Sequence, residues 1–91
     1  MIVRVQGDRQ YRLDGEAQSR LLGLDDRLVE AVRAAEAEQS HALLVQAIAV
    51  IHERGQALTE SELAPSDLIL PSSDATLDET RDLLQSEGLL G

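Results

Sequence analysis

The chain has 91 residues and a formal net charge of −9, and Tyr11 is its one residue of the Phe, Tyr and Trp class. Such a polyanion is repelled by phosphate backbones and anionic lipid headgroups, and it offers almost no rings on which bases could stack. Composition therefore argues against nucleic-acid binding and direct membrane binding, and the absence of cysteine excludes disulfides and thiolate metal sites.

Residues 1–13 alternate apolar and polar side chains on both sides of Gly7, which predicts a β-hairpin. A two-residue turn that begins at Gly7 would pair Val5 with Gln10, whereas a three-residue loop would pair Val5 with Tyr11. Glycine at the first loop position favours the shorter turn. Only the longer loop sets apolar residues opposite each other on one face, so we predict the longer loop.

The predicted register places Arg4 directly across from Arg12 on the outer face, with Arg9 in the loop. Like charges directly across a strand pair are destabilising, so this arrangement predicts an acidic neighbour. The simpler neighbour is internal, because residues 57–91 hold eight acidic residues and one arginine. The other is an acidic stretch of a partner protein, and the three arginines are our candidate partner-binding residues.

Two helices are predicted next, the first capped by Asp14. Its apolar residues recur at steps of four and three, as in a heptad seam. The seam comprises Ala17, Leu21, Leu24, Leu28, Ala31 and Ala35. Gly23 interrupts it at a cost of about 1 kcal/mol relative to alanine. We predict a break at 36–39 and a second helix over 40–54 that ends at Gly55, so that the two helices form an αα-hairpin.

The second helix is apolar on nearly every side. Its apolar residues are Ala42, Leu43, Leu44, Val45, Ala47, Ile48, Ala49, Val50 and Ile51. A helix at a protein surface shows a single apolar stripe. We therefore expect this helix to be buried between the first helix and the sheet.

The rest of the chain predicts short elements. Residues 59–62 fit one capped helical turn, and 67–70 form a possible third strand that could pair with an edge of the hairpin. A capping box at 76–79 predicts a last helix over 77–86, with Gly88 after its end. The predicted fold is α+β: a β-hairpin packed on an αα-hairpin, with a short C-terminal helix.

Residues capable of catalysis or metal binding are scattered. His41 and His52 would lie about 16 Å apart along one helix, too far for a shared metal ion. Asp25 and Asp26 are neighbours that point apart on a helix, and we interpret them as a solvated face. Ser66 and the pair Ser72 and Ser73, each followed by an aspartate, have no histidine nearby in sequence. No phosphate-binding or calcium-binding loop motif is present. We predict no catalytic residues, no metal ligands, no cofactor and no enzymatic activity.

Three stretches of the chain, in this order and spacing, are similar to a known family. They are the start MIVRVQGDRQYRLD, the helical stretch LDDRLVEAV and the tail APSDLILPSSDATLDETRDLLQSEGLLG. The tail is the most specific, and none of the three contains a catalytic motif. Across residues 1–91 the chain resembles the PspA-associated family, PspAA, as a single domain.

This resemblance implies a small protein encoded beside a homologue of phage-shock protein A. That partner is a coiled-coil protein of the ESCRT-III-like kind, which remodels the inner membrane under envelope stress. We expect an accessory interaction module in the cytoplasm, because no leader or membrane-spanning stretch is evident, and we expect it to reach the inner face of the membrane only through its partner. The alternative is a stand-alone homodimer in which the seam of the first helix pairs with itself.

Overall fold

Two long helices, one short helix and a small sheet make up the computed structural model, which describes residues 1–62 and 64–86. The strands are β1 (Ile2–Val5), β2 (Gln10–Arg12), β3 (Gln56–Ala57) and β4 (Leu68–Leu70). The helices are α1 (Gly15–Arg33), α2 (Ala37–Arg54) and α3 (Leu77–Ser86), with a 3₁₀ turn at Glu60–Glu62. The predicted α+β class is confirmed.

The strand order in the sheet is β3-β2-β1-β4. β1 is antiparallel to β2, as the hairpin prediction requires, and β4 runs parallel to β1. The predicted pairing of residues 67–70 with an edge of the hairpin is therefore confirmed. β3 pairs with the other edge and was not predicted, because its two exposed residues carry no alternation that a pattern could reveal.

The hairpin register differs from both predicted alternatives. The opposite pairs are Ile2 with Arg12, Val3 with Tyr11 and Arg4 with Gln10. The Asp8 N–H donates to the Val5 carbonyl at 2.9 Å, and Gly7 has a φ of +80° at the third position of this turn, as a type II turn requires. The strands are thereby shifted by two residues from the predicted register, and a shift of two keeps each side chain on its predicted face.

α1 begins as predicted, because the Asp14 carboxylate accepts the Ala17 N–H at 2.8 Å. Four of the six predicted seam residues are buried: Ala17, Leu21, Leu28 and Ala31. They belong to one core with residues of the sheet, α2 and α3. Leu24 is half-buried, and Ala35 lies exposed beyond the end of the helix. The seam therefore packs inside the molecule.

The connection from α1 to α2 passes through a left-handed residue, Ala35, whose φ is +56°. The Glu36 N–H donates to the Ala31 carbonyl at 2.9 Å, and the Ala35 N–H donates to the Val32 carbonyl at 3.0 Å. These two bonds form a Schellman motif, which usually has glycine at the left-handed position. α2 starts at Ala37, three residues before the predicted start.

We expect Ala35→Gly to raise the free energy of unfolding by about 0.5–1 kcal/mol, because glycine adopts positive φ without the steric cost of a Cβ. Urea denaturation measures the change. Ala34→Gly is the matched control: Ala34 has a φ of −81°, so glycine there should lower stability. Equal effects at the two positions would contradict the assignment of strain to Ala35.

α2 is buried along one broad side and exposed along the other. Its buried residues include Leu43, Leu44, Ala47, Ile48 and Ile51. Ala42, Val45 and Ala49 are exposed, Val45 by 43%. The expectation that this helix is buried between α1 and the sheet therefore holds for one broad side only. In a two-layer fold the outward side of a helix faces solvent even when its residues are apolar.

The C-terminal capping motifs form as predicted. Glu62 accepts from the Thr59 N–H at 3.2 Å, closing the short helical turn. The Thr76 N–H donates to the Glu79 carboxylate at 2.9 Å, and the Glu79 N–H donates to the Thr76 hydroxyl at 3.1 Å. α3 has the predicted bounds. Gly88, predicted to follow it, lies outside the described residues.

Candidate functional surface

The three candidate partner-binding arginines lie on the hairpin, but the prediction that Arg4 faces Arg12 directly was wrong. Arg4 lies opposite Gln10, and Arg12 lies opposite Ile2. The two-residue shift of the strand register makes Arg4 and Arg12 diagonal neighbours on one face, which weakens their mutual repulsion. Arg9 and Arg12 are exposed, and Arg4 is partly exposed.

The acidic third of the chain folds back over the hairpin, but a neutral side chain holds it there. Gln10 is buried, and its Nε2 donates to the Ala64 carbonyl and, at 2.9 Å, to the Ser66 hydroxyl. Among the described side chains, no acidic residue makes an ion pair with the Arg4, Arg9 or Arg12 guanidinium. The contact that these described residues make with the hairpin is therefore not an ion pair with the arginines.

The charge of one hairpin arginine, Arg12, acts on Glu62. The pKa of Glu62 is lowered chiefly by hydrogen bonds from the Thr59 N–H and hydroxyl, and to a smaller extent by the charge of Arg12. Glu62 is fully exposed, so solvent screens this attraction. The positive charge of the hairpin face is therefore largely available to a partner.

A second polar cluster, which sequence analysis missed, joins the hairpin loop to the end of α2. Asp8 Oδ2 accepts from the Tyr11 hydroxyl at 2.9 Å and lies 2.9 Å from His52 Nε2. The hydrogen bond with His52 is the main cause that lowers the pKa of Asp8, whereas burial and then Asp8 raise the pKa of Tyr11. Asp8 and His52 are 44 residues apart, so no local pattern could signal the contact.

A cleft of about 230 Å³ beside this cluster also holds Ser72 and Ser73. The Ser72 hydroxyl donates to Asp74 at 2.6 Å, and neither serine hydrogen-bonds His52 in the described part of the chain. Nucleophilic catalysis requires a hydroxyl within reach of the base. The cluster is a polar contact that connects the hairpin loop to the end of α2.

Asp25 is buried, with 6% of its surface exposed, so its assignment to a solvated face was wrong; its neighbour Asp26 is exposed. Asp25 lies between the buried Leu21 and Leu28 on the same side of α1, where helical spacing places it at the edge of the core. Its Oδ1 has no hydrogen-bond partner among the described residues. Burial, and secondarily the charge of Asp26, raises the pKa of Asp25.

Within the described ranges, no three histidine or acidic side chains are grouped as metal ligands would be. His41 is exposed near the start of α2, and His52 is engaged by Asp8. No helix in the same ranges has the length and apolar character needed to cross a bilayer.

The family model for PspA-associated proteins, PspAA, matches residues 1–91. The chain belongs to the PspAA family. The predicted resemblance is thus confirmed over the whole sequence, and the family name associates the chain with PspA-type proteins. No curated protein and no solved structure matches it.

Proposed function

We propose that this PspAA family member is a non-catalytic accessory module that docks on the coiled coil of a PspA-type protein and regulates it during envelope stress. The family match over residues 1–91 is the observation that carries this proposal. The module stays in the cytoplasm and is brought to the inner face of the membrane by its partner.

The burial of the α1 seam argues against the alternative, a homodimer in which that seam pairs with itself. Leu21 and Leu28 are fully buried inside a single chain. Self-pairing through them would require the αα-hairpin to open first, and the dimer would then only replace apolar burial that the single chain already has.

The hairpin arginines form one part of the proposed docking surface. Arg4, Arg9 and Arg12 give the hairpin a local positive charge on a chain of net charge −9. A partner with acidic residues would therefore be drawn to this face and held away from most of the remaining surface. The partner residues expected here are Glu or Asp on the outside of a coiled coil.

We expect Arg4→Glu/Arg12→Glu to weaken binding to the PspA-type protein by about 1–3 kcal/mol, because a charge that attracts acidic residues then repels them. The melting temperature should change little, because the wild-type arginines make no ion pair in the described structure. Titration calorimetry and thermal unfolding measure the two quantities. Raising the salt concentration should reproduce part of the loss.

The matched control is Arg33→Glu/Arg81→Glu, which changes the net charge equally on α1 and α3. Those arginines make exposed ion pairs with Glu30 and Asp78, which contribute little to stability. Unchanged affinity in the hairpin variant would remove these arginines from the docking surface. Failure of the wild-type chain to co-purify with the PspA-type protein would refute the proposed function itself.

A further inference from the structure

An open groove of about 460 Å³ runs between α1 and α2 next to their connection. Ala31, Ala34 and Leu43 supply its apolar lining. The border between the two helices continues to the far end of the αα-hairpin, where Arg54 Nη1 lies 3.6 Å from Glu16 Oε1. A groove between two antiparallel helices, with some apolar lining and charged borders, has the shape that receives a third helix.

A polar residue from each helix borders this groove and is repeated one heptad away along the same helix. On α1 Arg27 lines the groove, and Arg20 lies seven residues before it on the same side of the helix. On α2 Gln39 lines the groove, and Gln46 lies seven residues after it. All four are exposed, and neither arginine makes an ion pair with any described residue. Residues at this spacing flank the core of a coiled coil and select its partner helix by charge.

Gly23 lies between Arg20 and Arg27 on the same side of α1. Glycine inside a helix is less stable than alanine, and a Cβ added at Gly23 would meet nothing within 4 Å. Packing within this chain therefore does not require glycine at this position. A missing side chain does allow the backbone of another helix to approach closely, as at tight helix–helix contacts.

We infer that the groove between α1 and α2 is the docking site for one helix of the PspA-type partner, an inference that rests on the proposed function. That helix carries two acidic residues one heptad apart opposite Arg20 and Arg27. Near the connection the groove is bordered by Asp26, Glu30 and Glu36, so the same helix carries basic residues there. This change of charge along the groove sets the direction in which the helix lies.

The test uses the full chain and the full-length PspA-type protein as the probe. Arg20→Glu/Arg27→Glu should weaken binding by about 10-fold to 100-fold, because both groove arginines then repel the acidic helix. Arg81→Glu, compared with Arg27→Glu alone so that the change in net charge is equal, should bind within about 2-fold of the wild-type chain, because Arg81 lies on α3 and is not among the groove residues.

The Gly23→Gln substitution distinguishes an effect on docking from an effect on folding stability. Glutamine forms helix better than glycine, so the melting temperature should rise by about 4–8 °C. The added side chain should nevertheless weaken binding at least about 10-fold, because it keeps the partner helix from approaching. Unchanged binding by a more stable Gly23→Gln variant would overturn the inference.

The remaining outcomes distinguish failure of the groove as the docking site from failure of the proposed function. If the wild-type chain binds and only Arg4→Glu/Arg12→Glu loses affinity, the groove is not the site although the function stands. If the wild-type chain does not bind the PspA-type protein, both are overturned. If sedimentation shows a dimer that Arg20→Glu/Arg27→Glu dissociates, the groove holds a second copy of this chain and the assigned occupant is wrong.

Discussion

Asp25→Asn should raise the free energy of unfolding at pH 7 by about 1–3 kcal/mol, an unusual gain for a single substitution in α1. Asp25 is buried, and its Oδ1 has no hydrogen-bond partner in the described structure. The wild-type chain must therefore desolvate one carboxylate oxygen, Oδ1, without a hydrogen bond when it folds at neutral pH. Asparagine has nearly the same shape and removes the charge. Chemical denaturation at pH 7 measures the difference.

The pH dependence gives an independent check. Because the pKa of Asp25 is raised in the folded state, the folded chain binds this proton more tightly than the unfolded chain does. The contribution of Asp25 to stability is therefore most favourable below its unfolded pKa of about 3.9. That contribution is lost as pH rises from there through the raised folded value. The gain from Asp25→Asn should accordingly grow with pH across this window.

The control for this experiment is Asp26→Asn, which removes the same charge from the adjacent, exposed position. Its stability should stay within about 0.5 kcal/mol of the wild type, as for most surface substitutions. If Asp25→Asn lowers stability at pH 7, then its carboxylate has a stabilising partner, and the desolvation account of Asp25 is wrong.

Local signals in the sequence predicted the elements well. The Asp14 cap and the capping box of Thr76 and Glu79 are hydrogen bonds between residues three positions apart. A short sequence pattern therefore includes both partners of each bond. The strand at 67–70 was delimited by Pro65 and Pro71, because proline has no N–H to donate within a sheet and restricts the residue before it. The α+β class follows from these elements because a small sheet must cover its apolar face with helices.

Features that depend on distant contacts could not be predicted. The hairpin register depends on a turn one residue from the expected position and on pairing with β4, which is more than 60 residues away. The burial of Asp25 depends on how α1 is rotated about its axis against its neighbours. Apolar residues spaced three and four apart determine that rotation only to within one residue position. For the candidate site, the sequence located the arginines of the hairpin but not the residues that lie opposite them. The groove could not be predicted either, because it forms only when α1 and α2 pack together.

Gly55→Ala is expected to lower the free energy of unfolding by about 1–3 kcal/mol, the range for an added methyl group in a tightly packed place. Gly55 ends α2, as predicted, and its N–H donates to the Ile51 carbonyl at 2.7 Å. Its φ of −80° and ψ of 151° are open to any residue, so left-handed geometry is not the reason for glycine.

The reason is the close approach of other atoms to the Cα of Gly55. An added Cβ would collide with the Ile51 carbonyl oxygen and would lie 3.1 Å from Tyr11 Cβ and 3.2 Å from Leu13 Cδ2. The carbonyl belongs to the backbone of α2 and cannot move without disturbing the last turn of the helix. The collision would therefore push the end of α2 away from β2.

Gly23→Ala is the matched control, because the same methyl group meets nothing within 4 Å there and should raise stability by about 0.5–1 kcal/mol. Urea denaturation of the two variants should thus give changes of opposite sign. A glycine kept for backbone freedom alone would gain from alanine at both sites, since both have negative φ. A loss confined to Gly55→Ala would show that contact between the end of α2 and the hairpin determines which residue can end this helix.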